Sequence, residues 1–212
     1  MAAGPWVGPD RRGRLYLACP ACGFIFLSPG SRPQPAEARA RYLLHRNSLD
    51  ESGYRRMLEE FADKTILPFA PPGARALDFG SGPGPSLEPI LRERGLEAYS
   101  WDPLFKDDPG ALARSYAVLA MHEVIEHCAD PLATLSKATG LLAPGGILAI
   151  ATHFRPSEPS AFMSWWYRQD STHVSFFTAD CLSGACAGLG LSAFFCDGKS
   201  ASAFRKLPGR SV

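Results

Sequence analysis

Residues 77–84 read LDFGSGPG. Gly80, Gly82 and Gly84 follow the short apolar run ARALDF and precede the amphipathic stretch SLEPILRERG. A strand that delivers the chain into a glycine turn opening a helix is the first unit of a doubly wound sheet. Glycine permits the tight turn and lets a ligand approach the backbone closely. A dinucleotide-binding loop, G-x-G-x-x-G, would require glycine at 85, where this chain has Pro85. The form present is D-x-G-x-G-x-G, with Asp78 ahead of the first glycine. The competing reading is a glycine turn that serves only strand–helix packing.

The flanking pattern extends the same architecture. LEAYSW reads as a second strand ending at Asp102, where a ribose diol could be gripped. YAVLAM is a third strand, HEVIEHCADPLATLSKATGLL contains helix, and APGG turns the chain into ILAIAT, a buried strand of the kind parallel sheets use. FTADCLSGACAGLG reads as a capped helix, and LSAFFC and SASAFRK as a terminal hairpin around DGK. The expected fold is therefore α/β: a Rossmann-like, doubly wound, mostly parallel sheet with a C-terminal antiparallel hairpin. Upstream, AEARARYLLHRNSL and SGYRRMLEEFADKTILPF repeat apolar residues at helical spacing, and RLYLA and FIFLS flank the turn CPACG as short strands. This divides the chain into a small Cys-containing β-turn unit with its linker (1–35), a helical cap (36–70) and a ligand-binding domain (71–212).

Bulk properties narrow the function class. Lys+Arg 22 against Asp+Glu 21 leaves a net charge of +1, so no bulk field favours nucleic acid or a membrane surface. No apolar run approaches membrane-spanning length, and the N-terminus lacks an apolar signal core. Cys128, Cys181, Cys186 and Cys196 lie among apolar or small neighbours, as reduced thiols do. The expected location is cytoplasmic.

The segments LDFGSGPG, EVIEH and LLAPGGILAIAT, in this order, resemble the class I S-adenosylmethionine-dependent methyltransferases over roughly residues 74–207. That resemblance implies S-adenosylmethionine as cofactor. Asp78, Phe79 and the backbone from Gly80 through Ser81 and Gly82 to Gly84 would hold its methionine end. Asp102 would bind the ribose, with Trp101 and Pro103 against the adenine. Met121 and His122 would face the sulfonium. The stretch PLFKDDPGALARS departs from the family pattern: it is short, and the usual strand with an adenine-contacting acid is missing. Asp107 or Asp108 is the candidate substitute.

HEVIEH packs two carboxylates and two imidazoles into residues 122–127. On a helix, Glu123, Glu126 and His127 would share one face. The small-RNA 3′-terminal 2′-O-methyltransferases and the ubiquinone-pathway O-methyltransferases share an E-x-x-E-H segment that holds a divalent metal. By that resemblance Glu123, Glu126 and His127 are candidate ligands and His173 a fourth, for Mg, Mn, Fe or Zn, with the oxygen-rich set leaning to harder ions. The alternative is structural: glutamates satisfying backbone groups, and a histidine packed under the site. In WWYRQDSTHVSFFT, Trp165, Trp166, Tyr167 and Arg168 could line an acceptor pocket, while Phe176 and Phe177 read as core. His173 and His122 are the candidate catalytic residues, His173 as base or acceptor-binding donor. Tyr42, His45, Arg46 and Tyr54 on the N-terminal helices would cap the cofactor.

Some methyltransferases of this type carry an N-terminal zinc ribbon with two C-x-x-C knuckles. Only Cys19 and Cys22 are present here, so the unit resembles half a ribbon, its first half lost or upstream of Met1. A zinc ion could still bind between two chains or with His45. The expected function is methyl transfer to a small-molecule acceptor, with RNA or protein acceptors open. The competing class is a non-catalytic binding module on a degenerate methyltransferase fold.

Overall fold

The computed structural model describes residues 4–7, 9–44, 49–84 and 87–209, with backbone alone for 4–7. His45 and Arg46, expected to cap the cofactor, lie outside the described residues.

Three short N-terminal strands, β1 (Gly4–Val7), β2 (Tyr16–Ala18) and β3 (Ile25–Leu27), precede the helices α1 (Pro35–Leu44) and α2 (Ser52–Thr65). The chain then alternates through β4 (Arg75–Phe79), α3 (Leu87–Glu93), β5 (Glu97–Trp101), the single-turn α4 (Pro109–Leu112), β6 (Tyr116–His122), α5 (Pro131–Leu141) and β7 (Leu142–Ala151). It ends with α6 (Pro159–Ser164), β8 (Ser175–Phe176), α7 (Ala179–Gly188) and the hairpin β9 (Leu191–Cys196) and β10 (Ala201–Lys206).

The main sheet has six strands in the order β5-β4-β6-β7-β10-β9. β5, β4, β6 and β7 are parallel, and β10 runs antiparallel between β7 and β9. The expected fold class is the observed one. Alternating residues explain the layering. Leu77, Leu119, Met121, Leu148 and Ile150 face one side, under α5 and α7. Ala76, Ala98, Val118, Ala120 and Ala149 face the other, where their small side chains let Leu58 and Phe61 of α2 and Ile90 and Leu91 of α3 come close. Asp130 caps α5 by accepting from the Ala133 N–H at 3.0 Å, and Thr178 caps α7 by accepting from Cys181 at 3.1 Å.

β4 leads outward to β5, and the chain then returns to β6 on the opposite side of β4. This is the strand-order reversal that opens a crevice at the carboxyl ends of parallel strands. The abbreviated stretch after Asp102 adds no further strand at the β5 edge: it closes on itself through an Asp102–Lys106 bridge and the single turn of α4.

β1, β2 and β3 form a second, antiparallel sheet whose fourth strand, β8, comes from the far end of the chain. Tyr16, Ile25 and Leu27 pack with Phe162, Val174 and Phe176. The buried Arg168 ties this corner together. It donates to Asp10 at 2.9 Å, to the Tyr16 hydroxyl at 2.9 Å and to the carbonyls of Phe162 and Met163.

Candidate active site

A cavity of about 790 Å³ opens at the carboxyl ends of β4, β5 and β6. Its wall on the β4 side is the glycine turn. Gly80 and Gly82 adopt φ +82° and +70°, a backbone that side chains rarely take. Gly80 has a second constraint, since a Cβ there would fall 2.6 Å from Val124 Cγ1. Above Gly82 nothing lies within 4 Å of where a Cβ would sit, so its backbone is open to the cavity. Ser81 also lines the cavity, and its buried hydroxyl has no hydrogen-bond partner among the described residues.

Asp102 locks this turn to the next strand. One carboxylate oxygen accepts from the Gly82 N–H at 2.9 Å, and the other accepts from Leu104 and Phe105 at 2.8 and 3.1 Å. Asp78 lies beneath the turn. Burial first, and the nearby Glu88 carboxylate second, push its carboxyl up to about 7. A buried, electron-rich pocket of that kind accommodates a cationic ligand group.

Not every residue expected at the cofactor lines this space. Asp78, Gly80, Ser81, Gly82, Asp102, Pro103 and His122 do. The side chains of Phe79, Trp101 and Met121 pack in the core under the sheet, because strand alternation turns them away from the cavity. The Trp101 indole N–H donates to Asp107 at 3.0 Å, and Lys137 stands 3.9 Å from its ring. Asp107 is thereby committed to Trp101, and Asp108 caps α4. Neither lines the cavity; Pro103, Leu104 and Phe105 supply an apolar surface there instead. Gly84 is not among the lining residues either.

HEVIEH does not form the expected helical face. Glu123 has φ +54°, the sole positive φ of a non-glycine among the described residues, and only Ile125–His127 make a 3-10 turn. A left-handed residue at the strand end swings Glu123 off the line shared by Glu126 and His127. Glu126 is fully buried, and both of its oxygens lack a hydrogen-bond partner among the described residues. Burial, and then the neighbouring Glu126 carboxylate, hold the Glu123 carboxyl well above the usual range.

His173 folds back onto this turn. One ligand atom from each of Glu126, His127 and His173 lies within 4.8 Å of the others. His127 Nδ1 is 3.1 Å from the Thr172 carbonyl, and His173 Nδ1 is 2.7 Å from the Tyr167 carbonyl. A carbonyl can only accept, so each Nδ1 carries a proton, and in the neutral form of either ring the lone pair is on Nε2. Asp170 shapes this segment by accepting from the N–H and hydroxyl of Thr172 at 2.9 and 2.7 Å. Arg41 of α1 pairs with the same Asp170 at 2.9 Å, drawing that helix over the cavity. Burial lowers both His173 and His122 to about 4, so both imidazoles are neutral at pH 7. His122 sits edge-on to Phe61, centroids 5.1 Å apart.

Tyr42, Tyr54, Trp166 and Tyr167 complete the wall, while Trp165 and Arg168 point into the second sheet's core. The cavity residues that sequence reasoning missed include Arg41, Phe105, Gln169 and Asp170. Only Asp170 had a local signal, the Asx-turn composition of DST. At the other end of the molecule, Cys19 and Cys22 acquire no second knuckle: among the described residues the only clustered metal-type group is Glu126, His127 and His173.

A doubly wound sheet whose glycine turn, buried acid and strand-end acid converge on one cavity defines an α/β protein of the class I methyltransferase type. The model of the methyltransferase domain family matches residues 50–193, and the chain belongs to that family. Ubiquinone biosynthesis O-methyltransferase of Parvibaculum lavamentivorans is 33% identical, over 38% of this chain and 35% of that protein. The enzyme of the same name from Xanthomonas campestris pv. campestris is 32% identical, over 43% of this chain and 47% of its own length. The match thus spans less than half of either relative. Among solved structures, a chain of the complex between the Haloferax volcanii Trm112 methyltransferase activator and a candidate methyltransferase superimposes with a TM-score of 0.61 at 15% identity, covering 81% of this chain and 98% of that one. An O-methyltransferase family protein from Burkholderia thailandensis gives 0.59 at 12% identity, over 85% and 66%. Likenesses at this identity speak for the fold.

Proposed function

We propose that the protein is an S-adenosylmethionine-dependent methyltransferase that methylates an oxygen of a small-molecule acceptor in the cytoplasm. The observation that carries this reading is the single cavity. It places Asp78, the open Gly80–Gly82 backbone and Asp102 on one side, and Glu123, His127 and His173 on the other, with the buried Glu126 directly behind the two imidazoles. The cofactor, when bound, supplies a methyl group on a positively charged sulfur. Asp78 and the orphaned Ser81 hydroxyl suit its amino-acid end, and the remaining lone pairs of Asp102 suit a ribose diol. The aromatic wall of Tyr42, Phe105, Trp166 and Tyr167 excludes water and orients a planar acceptor. A walled cavity of this size favours a small molecule over an RNA or protein chain, and the intact cofactor turn argues against a purely structural module.

The cluster of Glu126, His127 and His173 also fits a divalent cation. A buried carboxylate without partners and two imidazoles anchored through Nδ1 are what a carboxylate–histidine site needs. Glu123 lines the cavity beside this cluster, and the three clustered ligand atoms are one oxygen and two nitrogens, which shifts the preference from Mg toward Zn, Fe or Mn. A cation there would polarise a hydroxyl acceptor and favour its loss of a proton. No helix among the described residues is long and apolar enough to cross a membrane; the cytoplasmic assignment draws on the free cysteines.

Calorimetry with S-adenosylhomocysteine tests the cofactor assignment. Binding to the wild-type chain, weakened at least tenfold in Asp102→Ala, is expected. No binding to the wild type would overturn the assignment.

A further inference from the structure

Three cysteines meet where the CPACG turn packs on α7. The turn CPACG follows β2, and its Gly23 carbonyl is clamped by Arg155, which donates through Nε at 3.0 Å and Nη2 at 2.6 Å. That clamp sets the turn on the first turn of α7. Cys181 Sγ lies 3.7 Å from Cys22 Sγ, across most of the chain's length, with the Cys181 thiol donating. Cys22 is exposed and Cys181 buried, and all three thiols are free. Cys19 ends the row: the N–H groups of Cys22 and Ala21 and the Cys22 thiol donate to its sulfur and favour its thiolate. Nothing in methyl transfer uses these groups.

We propose that Cys22 and Cys181 are a covalent modification site that forms a reversible disulfide by exchange with a low-molecular-weight disulfide such as oxidised glutathione. Cys22, the accessible member, loses its proton to solvent and attacks one sulfur of the oxidant, releasing one molecule of the small thiol. Cys181 then loses its proton to water and attacks the Cys22 sulfur of the mixed disulfide, expelling the second small thiol. Two protein thiols are oxidised by two electrons, and one small disulfide is reduced to two thiols. The sulfurs must close from 3.7 Å to about 2.0 Å, a shift within reach of side-chain rotation at the exposed Cys22. Burial, and then the neighbouring Cys22, push the Cys181 thiol up to about 12, and the positive charge of Arg155 offsets part of that, so the second exchange is the slower step. The bond would fasten the N-terminal sheet to α7, just beyond the segment that carries Tyr167, Asp170 and His173.

The test is a peptide map of the intact protein. The chain is equilibrated in oxidised and reduced glutathione mixtures, quenched in acid, alkylated and digested without reductant. A Cys22–Cys181 linked peptide is expected, reversed by dithiothreitol, absent in Cys22→Ser and Cys181→Ser, and still formed in Cys19→Ser. The map of the wild type decides alone if a variant fails to fold. A Cys19–Cys22 linkage, glutathione retained on Cys22 without a cross-link, or thiols that resist alkylation until a chelator removes a bound metal would each overturn the proposal.

Discussion

His127 and His173 stand with ring centroids 4.6 Å apart at an interplanar angle of 71°, each held by Nδ1 on a backbone carbonyl of the segment before β8. His127 Nε2 lies 3.8 Å from the buried Glu126 Oε1, and His173 closes the same cluster. Glu126→Gln should therefore have opposite effects in two states. In chelator-treated protein it removes a buried, unpartnered carboxylate, so thermal stability should rise or hold. In protein loaded with Zn or Mn, retention measured by elemental analysis should fall at least tenfold. Equal metal content in wild type and variant would remove Glu126 from any cation site.

By the proposed role of Asp78, cofactor binding should depend on pH. Its carboxyl is raised to about 7 from the ordinary 3.8, so at acidic pH the native state holds a proton that the unfolded chain releases near pH 4. Stability should fall as pH rises from about 4 to 7 and level off above that, by no more than a few kcal/mol. The α-ammonium of S-adenosylhomocysteine prefers the carboxylate form, so its affinity should rise by up to about tenfold per pH unit below 7 and flatten above it. Calorimetry from pH 5.5 to 8.5, in buffers of different ionisation enthalpy, reads both the affinity and the proton released. The slope should vanish in Asp78→Asn. Glu88, Asp102 and Lys106 also act on this carboxyl, and Glu88→Gln should shift the midpoint downward.

Gly80→Ala meets two obstacles at once, a positive φ and Val124 Cγ1 at 2.6 Å. A cost of about 2–4 kcal/mol is expected, together with a loss of cofactor affinity, because Val124 lies in the HEVIEH turn. Chemical denaturation and calorimetry measure the two separately. Pairing the change with Val124→Ala should recover part of the stability, since that substitution removes the clashing methyl groups.

Arg168→Ala should be the most destabilising change in the second sheet. It leaves the Phe162 and Met163 carbonyls and the Tyr16 hydroxyl without their donor, while Asp10 keeps Arg14 and two backbone N–H groups, so a loss of about 2–4 kcal/mol is expected. The midpoint of thermal unfolding checks this. Arg168→Lys should recover little, because an ammonium cannot span Asp10, Tyr16 and the α6 carbonyls together.

The succession of strands and helices, the glycine turn and its two acids were legible in the sequence because each depends on local rules. Apolar runs of strand length, Gly at positive φ and capping Asp or Thr act over a few residues. The expected helical face of Glu123, Glu126 and His127 failed for a reason no local pattern carries. Glu123 takes a left-handed conformation where its N–H binds the Ala151 carbonyl of β7 at 2.9 Å.

The sequence by itself determined the mostly parallel sheet and the glycine turn between β4 and α3, through periodicity and turn chemistry. Tertiary structure alone decided which side chains reach the cavity. Strand alternation sent Phe79, Trp101 and Met121 into the core, and the Asp170 turn carried His173 onto Glu126. Packing likewise set Cys181 against Cys22. Contacts between residues so distant in the chain depend on how helices and sheets stack, and no short-range preference encodes that geometry.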